Sequence, residues 1–229
     1  MQNYYSNYDK FYVAIDCIIF GFDDGKLKLL ILKRDFEPSK GDFSLIGGFV
    51  NIDESMDDAA ARILQKLTGL SDIYMEQLQA FGEVDRDPGE RTVSAAYFAL
   101  VQIQDIDPIH VKNNSAQWCP LEELPPLIFD HESMVDKAMR RLRRRAGSQP
   151  IGFELLPRKF TLPQLQKLYE SIYQTGFDNR NFRKKVLDMN ILYKLDEKDK
   201  SNSKKGAFFF RFDKKKYDKF VRDGFLFNL

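Results

Sequence analysis

Three groups of residues in this sequence have the types and spacing to do chemistry. The first is acidic. Glu54, Asp57 and Asp58 stand at the head of a helical pattern that opens near Ser55, runs through Met56, Ala60, Ile63, Leu64 and Leu67, and stops at Gly69. Carboxylates in a first turn favour the helix macrodipole, and Ser55 followed by Asp58 resembles a capping box. The second group is polar residues set among apolar ones: Asp16 inside an apolar strand, Lys33 and Arg34 closing the next, Ser44 before a diglycine, and Glu83, Asp85, Arg86, Asp87 and Arg91 in the loop FGEVDRDPGER. With the rings of Phe49 and Phe81 they have the make-up of a small-molecule pocket, apolar walls carrying a few placed polar groups. Asp16 is equally suited to bonding a turn backbone, and loop charges to being solvated. The third group is basic. Asn179, Arg180, Asn181, Arg183, Lys184 and Lys185 lie on a second helical pattern, outward of Phe182, Val186 and Met189, and Lys204 and Lys205 follow on a lysine-rich turn. Arginine can bond guanine O6 and N7, asparagine can bond adenine N6 and N7, and lysine can neutralise phosphate.

The elements that must position these residues read in order. Residues 10–34 form a β-hairpin turning at Asp23-Asp24-Gly25, with a short strand at Phe43–Ile46 and the helix from Ser55. Strands at Ala80–Val84 and Val93–Gln102 flank the polar loop, and Trp118-Cys119-Pro120 leads to a helix over about 131–145. Ala146–Pro150, AGSQP, punctuates the chain as a domain boundary would. Beyond it come a helix at 162–173, a turn through Thr175-Gly176-Phe177, a helix at Asn179–Met189 capped by Asp178, and strands at Ile191–Leu195 and Ala207–Phe212: helix-turn-helix plus wing. The expectation is an α+β protein of two domains, a mixed α/β/α sandwich over residues 1–146 and a winged helix over 151–229.

Residues 48–70 resemble the Nudix box, with Gly48, Glu54, Arg62, Leu64, Gly69 and Leu70 in register; the later WCPLEELPPLIFDH is also similar to members of that family. In the box, glutamates one turn apart hold Mg²⁺ against a diphosphate. Those positions are Ile63, Lys66 and Leu67 here, and two hydrocarbons and an ammonium cannot ligate a hard dication. The resemblance therefore implies a binding domain without metal, cofactor or hydrolytic activity.

Net charge is +1, yet it divides sharply. Residues 1–139 hold 12 Lys and Arg against 24 Asp and Glu, and residues 140–229 hold 23 against 10. That asymmetry points to a polyanion partner for the second half alone, with a solvated basic face or one docked on the acidic half as the other readings, and double-stranded DNA fits the helix-turn-helix. The stretch PRKFTLPQLQKLYESIYQTGFDNRNFRKKVL resembles the Nudix-related transcriptional regulators, the NrtR-like family. That resemblance covers residues 10–229. It implies a homodimer binding a palindromic operator and released from it by a small-molecule effector. The family includes ADP-ribose-responsive members and an L-arabinose-responsive branch. Glu83, Asp85, Asp87 and Glu90 against Arg86 and Arg91 suit a neutral sugar better than a diphosphate, which favours L-arabinose and a repressor of sugar-utilisation genes, with ADP-ribose as the alternative. The rivals are an active Nudix hydrolase with an accessory nucleic-acid domain and a winged helix used for protein contacts.

With 43% apolar and 14% aromatic residues the chain can bury sizeable cores. No stretch approaches the roughly 18 apolar residues of a membrane span, and Met-Gln-Asn-Tyr-Tyr-Ser has no leader character; a cytoplasmic protein is expected. Cys17 and Cys119 lie too far apart in sequence to signal zinc or a disulfide framework. The cationic run RRLRRR at 140–145 has interdomain packing and phosphate contact as its two open readings.

Overall fold

The computed structural model describes residues 4, 6–69, 73–201 and 204–223; Leu70 and the last six residues of the expected second domain lie outside them. Strand β1 (Tyr12–Asp23) is apolar on both faces, and both are covered. Ile15, Cys17 and Ile19 pack with helix α1 (Met56–Thr68), and Ile18, Phe20 and Phe22 pack in the cluster that contains helix α3 (His131–Ser148). Continuous apolar character is what a central strand requires.

Around it, β1 pairs antiparallel with β2 (Lys26–Lys33) through its last residues and with β4 (Ile46–Phe49) through Ala14–Cys17. It pairs parallel with β6 (Thr92–Val101), from Tyr12 opposite Thr92 to Gly21 opposite Val101. Strands β3 (Phe43–Ser44) and β7 (Ala116–Pro120) join β2, and β5 (Met75–Phe81) forms the edge beyond β6. The expected strand at 80–84 thus lies further back. Its residues include Glu76, Gln77 and Gln79, polar side chains that an edge strand tolerates and that hide it from a reading by hydrophobicity. Helix α2 (Pro108–Asn113) is short and had no counterpart in the sequence reading.

Helix α3 runs past its expected end near residue 145. It continues through Ala146-Gly147-Ser148, because Ala146 is fully buried and the Tyr173 hydroxyl donates to the Arg143 carbonyl at 3.1 Å. After a single turn, α4 (Gly152–Leu155), the second unit is built from β8 (Phe160–Thr161), α5 (Leu162–Tyr173), α6 (Asn179–Asp188), β9 (Leu192–Asp199), β10 (Ala207–Phe212) and α7 (Lys214–Arg222). Its sheet order is β8-β10-β9. The two units share one apolar cluster, in which Phe20, Leu29 and Leu142 stand with Leu155, Leu168 and Tyr169. The Ser171 hydroxyl also donates to the Gly25 carbonyl at the hairpin tip, 3.0 Å.

Candidate functional site

The second group of the sequence reading assembles around Asp16. This residue lies in register with Gly47 and Ala96, and a Cβ at Gly47 would stand 2.5 Å from its carboxylate, so only glycine admits the approach. Ser94 donates to Asp16 Oδ2 at 2.6 Å, and Arg86, its side chain 2% exposed, reaches the same oxygen at 3.4 Å. Arg86 grips Asp130 with both Nε and Nη2, at 3.0 and 2.8 Å. Burial disfavours the Arg86 charge, and the Asp130 hydrogen bond and the two carboxylates outweigh it, holding the guanidinium protonated.

His131, the first residue of α3, closes the cluster. Its Nδ1 accepts from the Leu45 amide at 3.0 Å, which leaves the proton of a neutral ring on Nε2, 3.6 Å from Asp16 Oδ1. Burial lowers its pKa below the ordinary histidine value, and Asp16 only partly opposes this. One buried patch therefore joins β1, β6, the 82–91 loop and the start of α3. The cleft over it is lined by Glu83, Val84, Asp85, Arg86, Phe129 and Asp130.

The other expected residues fall around that cleft unevenly. The Arg34 guanidinium lies 4.1 Å from the Phe36 ring and 5.8 Å from the Phe129 ring, and its Nε donates to the Pro38 carbonyl. Lys33 is exposed, with Nζ 6.0 Å from the Phe43 ring. Phe81 is buried beneath Lys137 Nζ at 4.5 Å. Phe49 is half exposed and packs on Tyr12, centroids 5.1 Å apart. Asp87 accepts from the Gly89 amide, shaping its own loop. Arg91 binds the Gly82 and Glu83 carbonyls. The Ser44 hydroxyl is buried without a hydrogen-bond partner and does not join the cluster.

On α1 the capping box is formed, with Ser55 and Asp58 exchanging side-chain and backbone bonds, and Gly69 caps the far end at φ 73°. Both oxygens of Glu54 are held by Arg62, at 2.5 and 2.8 Å, and Arg62 also donates to the Phe49 carbonyl. The Arg62 bond and the Asn51 amide bring the Glu54 pKa down to about 2. Tyr97 donates to Asp57 at 2.5 Å. Ile63 and Leu67 are buried in the α1 cluster, and a Cβ on Gly48 would touch Ile63 at 3.3 Å.

In the second unit, Phe182 and Val186 anchor α6, while Arg180, Asn181, Arg183, Lys184 and Lys185 are exposed. Asp178 caps α6 by accepting from the Asn181 amide at 2.8 Å. Asn179 is exposed, and its Oδ1 accepts from Gln166 at 2.6 Å, tying α5 to α6. Lys204 and Lys205 stand exposed at the tip between β9 and β10, and Lys194 and Lys198 sit over the Phe208 ring at 3.7 and 4.4 Å.

Two family descriptions match this chain: a NUDIX domain over residues 10–142 and the NrtR DNA-binding winged helix domain over residues 152–212. The ADPR responsive transcriptional repressor NtrR of Acinetobacter baylyi is 30% identical over 93% of this chain and 86% of its own length. This protein belongs to the NrtR family. The crystal structure of Shewanella oneidensis NrtR with a 27mer DNA superposes on it with a TM-score of 0.76 at 28% identity, over 87% of this chain and 93% of that one. An ADP-ribose pyrophosphatase of Methanocaldococcus jannaschii is 34% identical over 56% of this chain and 73% of its own length. This NrtR-family chain is thus a Nudix domain followed by a DNA-binding winged helix.

The Nudix side chains of this NrtR-family member do not suit Mg²⁺. A hard dication takes oxygen donors, yet Ile63 and Leu67 are hydrocarbon, Lys66 is cationic, Glu54 is saturated by Arg62 and Asn51, and Asp57 is engaged by Tyr97. Asp130, His131 and Ser94 were missed by the sequence reading. The signal that could have found the first two is a polar pair, FDH, placed between an apolar run and a helix in a chain with only two histidines.

Proposed function

We propose that this protein is a transcriptional repressor whose Nudix domain binds ADP-ribose without hydrolysing it and thereby lowers the affinity of the winged helix for DNA. Sensing is assigned to residues 1–146 and DNA binding to 151–229, in a homodimer that meets a palindromic duplex. The observation that carries this reading is the course of α3. Its N-cap Asp130 and first residue His131 belong to the buried cluster beneath the cleft. Just over three turns later Arg143 donates to the Ile172 carbonyl at 2.9 Å and to Gln174 at 2.6 Å, at the end of α5. A ligand that draws Arg86 from Asp130 moves a rod already fastened to the DNA-binding unit. Such packed elements have discrete arrangements and transmit small shifts.

ADP-ribose replaces L-arabinose as the effector. The sugar reading set Glu83, Asp85, Asp87 and Glu90 against Arg86 and Arg91, but Asp87 is used within its own loop, accepting from the Gly89 amide. Arg34, stacked on two rings beside the cleft, is the cation placed for a phosphate. The A. baylyi relative, alike over both domains and described as ADPR responsive, supports the same choice. Within the site, Arg86 and Asp85 are assigned to orient the ligand, Phe49 to cover a ring of it, and Arg180, Asn181 and Arg183 to contact bases. Lys184, Lys185, Lys204 and Lys205 are assigned to phosphates.

Thermal unfolding with ADP-ribose, AMP and L-arabinose tests this, because a ligand of the folded state raises the midpoint. A rise with ADP-ribose and none with L-arabinose is expected, with no AMP released from ADP-ribose in Mg²⁺. A rise with the pentose alone, or Mg²⁺-dependent turnover, overturns the reading.

A further inference from the structure

The winged-helix family match ends at residue 212, at the last residue of β10, and α7 begins two residues later. This helix is fixed to the domain at its start. The Asp213 amide donates to the Ile191 carbonyl at 3.0 Å, Asp213 Oδ1 accepts from the Lys216 amide at 3.0 Å, and Lys216 Nζ reaches Asn190 Oδ1 at 2.7 Å. Tyr217 packs on Phe212, centroids 5.5 Å apart, as part of the apolar surface around the core. Asn190 and Ile191 are the residues that leave α6, so α7 starts beside the exit of the recognition helix.

Its composition is costly for a helix. Lys214, Lys215 and Lys216 occupy the first turn, where the macrodipole is positive and cations are disfavoured. Lys215, Lys219 and Arg222, spaced i, i+4 and i+7, share one stripe, and all three are exposed. Among the described residues none of the three enters an ion pair. Three of the five arginines of α3 behave differently: Arg141 pairs with Glu76, Arg145 with Glu154 at 3.0 Å, and Arg143 with backbone and amide groups of the second unit, while Arg140 and Arg144 are exposed. The 140–145 run is therefore spent in part on internal packing, while the α7 stripe is anchored at its first turn and keeps a net positive charge, three cations beside the one carboxylate within the helix, the exposed Asp218.

We propose that α7 is a second DNA-contacting element, whose Lys215, Lys219 and Arg222 neutralise backbone phosphates beside the duplex region met by α6. This rests on the DNA-binding reading above. Seven residues of helix span roughly 10 Å, and one DNA strand presents a charge about every 3.4 Å of axis, so the stripe is long enough for two or three phosphates. Such contacts position the domain without reading sequence.

The test is the salt dependence of binding to a 40-base-pair mixed-sequence duplex by the full chain, its K215Q/K219Q/R222Q variant and a charge-matched K10Q/K40Q/K112Q variant. The control removes three exposed lysines from the Nudix domain. Each lost phosphate contact flattens the plot of log affinity against log salt by about 0.9. The α7 variant should lose about two units of slope and bind at least roughly tenfold more weakly near 0.1 M salt, with the control close to the parent. Equal slopes for the α7 variant and the parent overturn the α7 proposal alone. Equal losses in the two variants also overturn it, showing a general charge effect. Failure of the parent to bind any duplex overturns the DNA-binding reading itself.

Discussion

At Arg86 the chain buries a guanidinium between two carboxylates, at 2.8 Å from Asp130 and 3.4 Å from Asp16. Removing charges from water is expensive, and taking away one partner leaves the others buried and unpaired at a cost of about 3–5 kcal/mol. Arg86→Met should therefore lower unfolding free energy by that order in denaturant titration, and a loss under about 1 kcal/mol would show that the cluster is not held as described. His131 makes a pH prediction. Its folded pKa is lowered, so below the ordinary histidine value near 6.5 the unfolded chain binds the extra proton first. Stability is complete above about pH 6.5 and falls as pH drops toward the lowered pKa; His131→Asn should remove that part of the dependence. The sequence already marked Asp16 as a charge inside an apolar strand and Arg86 as one of the charges of the 81–91 loop. The partners stayed invisible, since the Asp16–Ser94 and Arg86–Asp130 bonds join residues 78 and 44 positions apart, and only the pairing of β1 with β6 and the path of α3 make them neighbours.

Among the elements, those with local signals were legible and those set by position in the sheet were not. Ser55 and Asp58, and Asp178, mark helix starts by chemistry contained within four residues, and each cap is formed. Ser55→Ala should cost about 1 kcal/mol of stability, as caps generally do, read as a shift of the denaturation midpoint; an unchanged midpoint would mean that α1 is held by its packing alone. Strands β5 and β9 sit at sheet edges, where one side is unpaired and polar residues such as Gln77 or Lys198 are admitted. Their limits were therefore drawn wrongly from apolar runs. The segment 146–150 reads as a linker by composition, yet α3 extends into it as far as Ser148 because the buried Ala146 face outweighs the modest penalty of one helical glycine.

For the whole molecule, the division of charge between the halves matters more than the net value. An acidic Nudix unit repels a polyanion while a basic winged helix attracts it, which favours contact of DNA with the second unit. The units nevertheless share an apolar cluster and are bonded through Arg143, Tyr173, Ser171 and Gly25. In the proposed reading, coupling between a ligand over Arg86 and DNA on α6 is reciprocal: whatever factor ADP-ribose takes from DNA affinity, DNA takes from ADP-ribose affinity. The direct measurement is calorimetric titration of ADP-ribose into the protein alone and into its complex with a duplex selected by the protein from a random pool. The account predicts binding weakened in the complex, by roughly 5- to 150-fold for ordinary allosteric coupling, and by the same factor when DNA binding is measured with and without ADP-ribose. Equal ADP-ribose affinity with and without the duplex would contradict it.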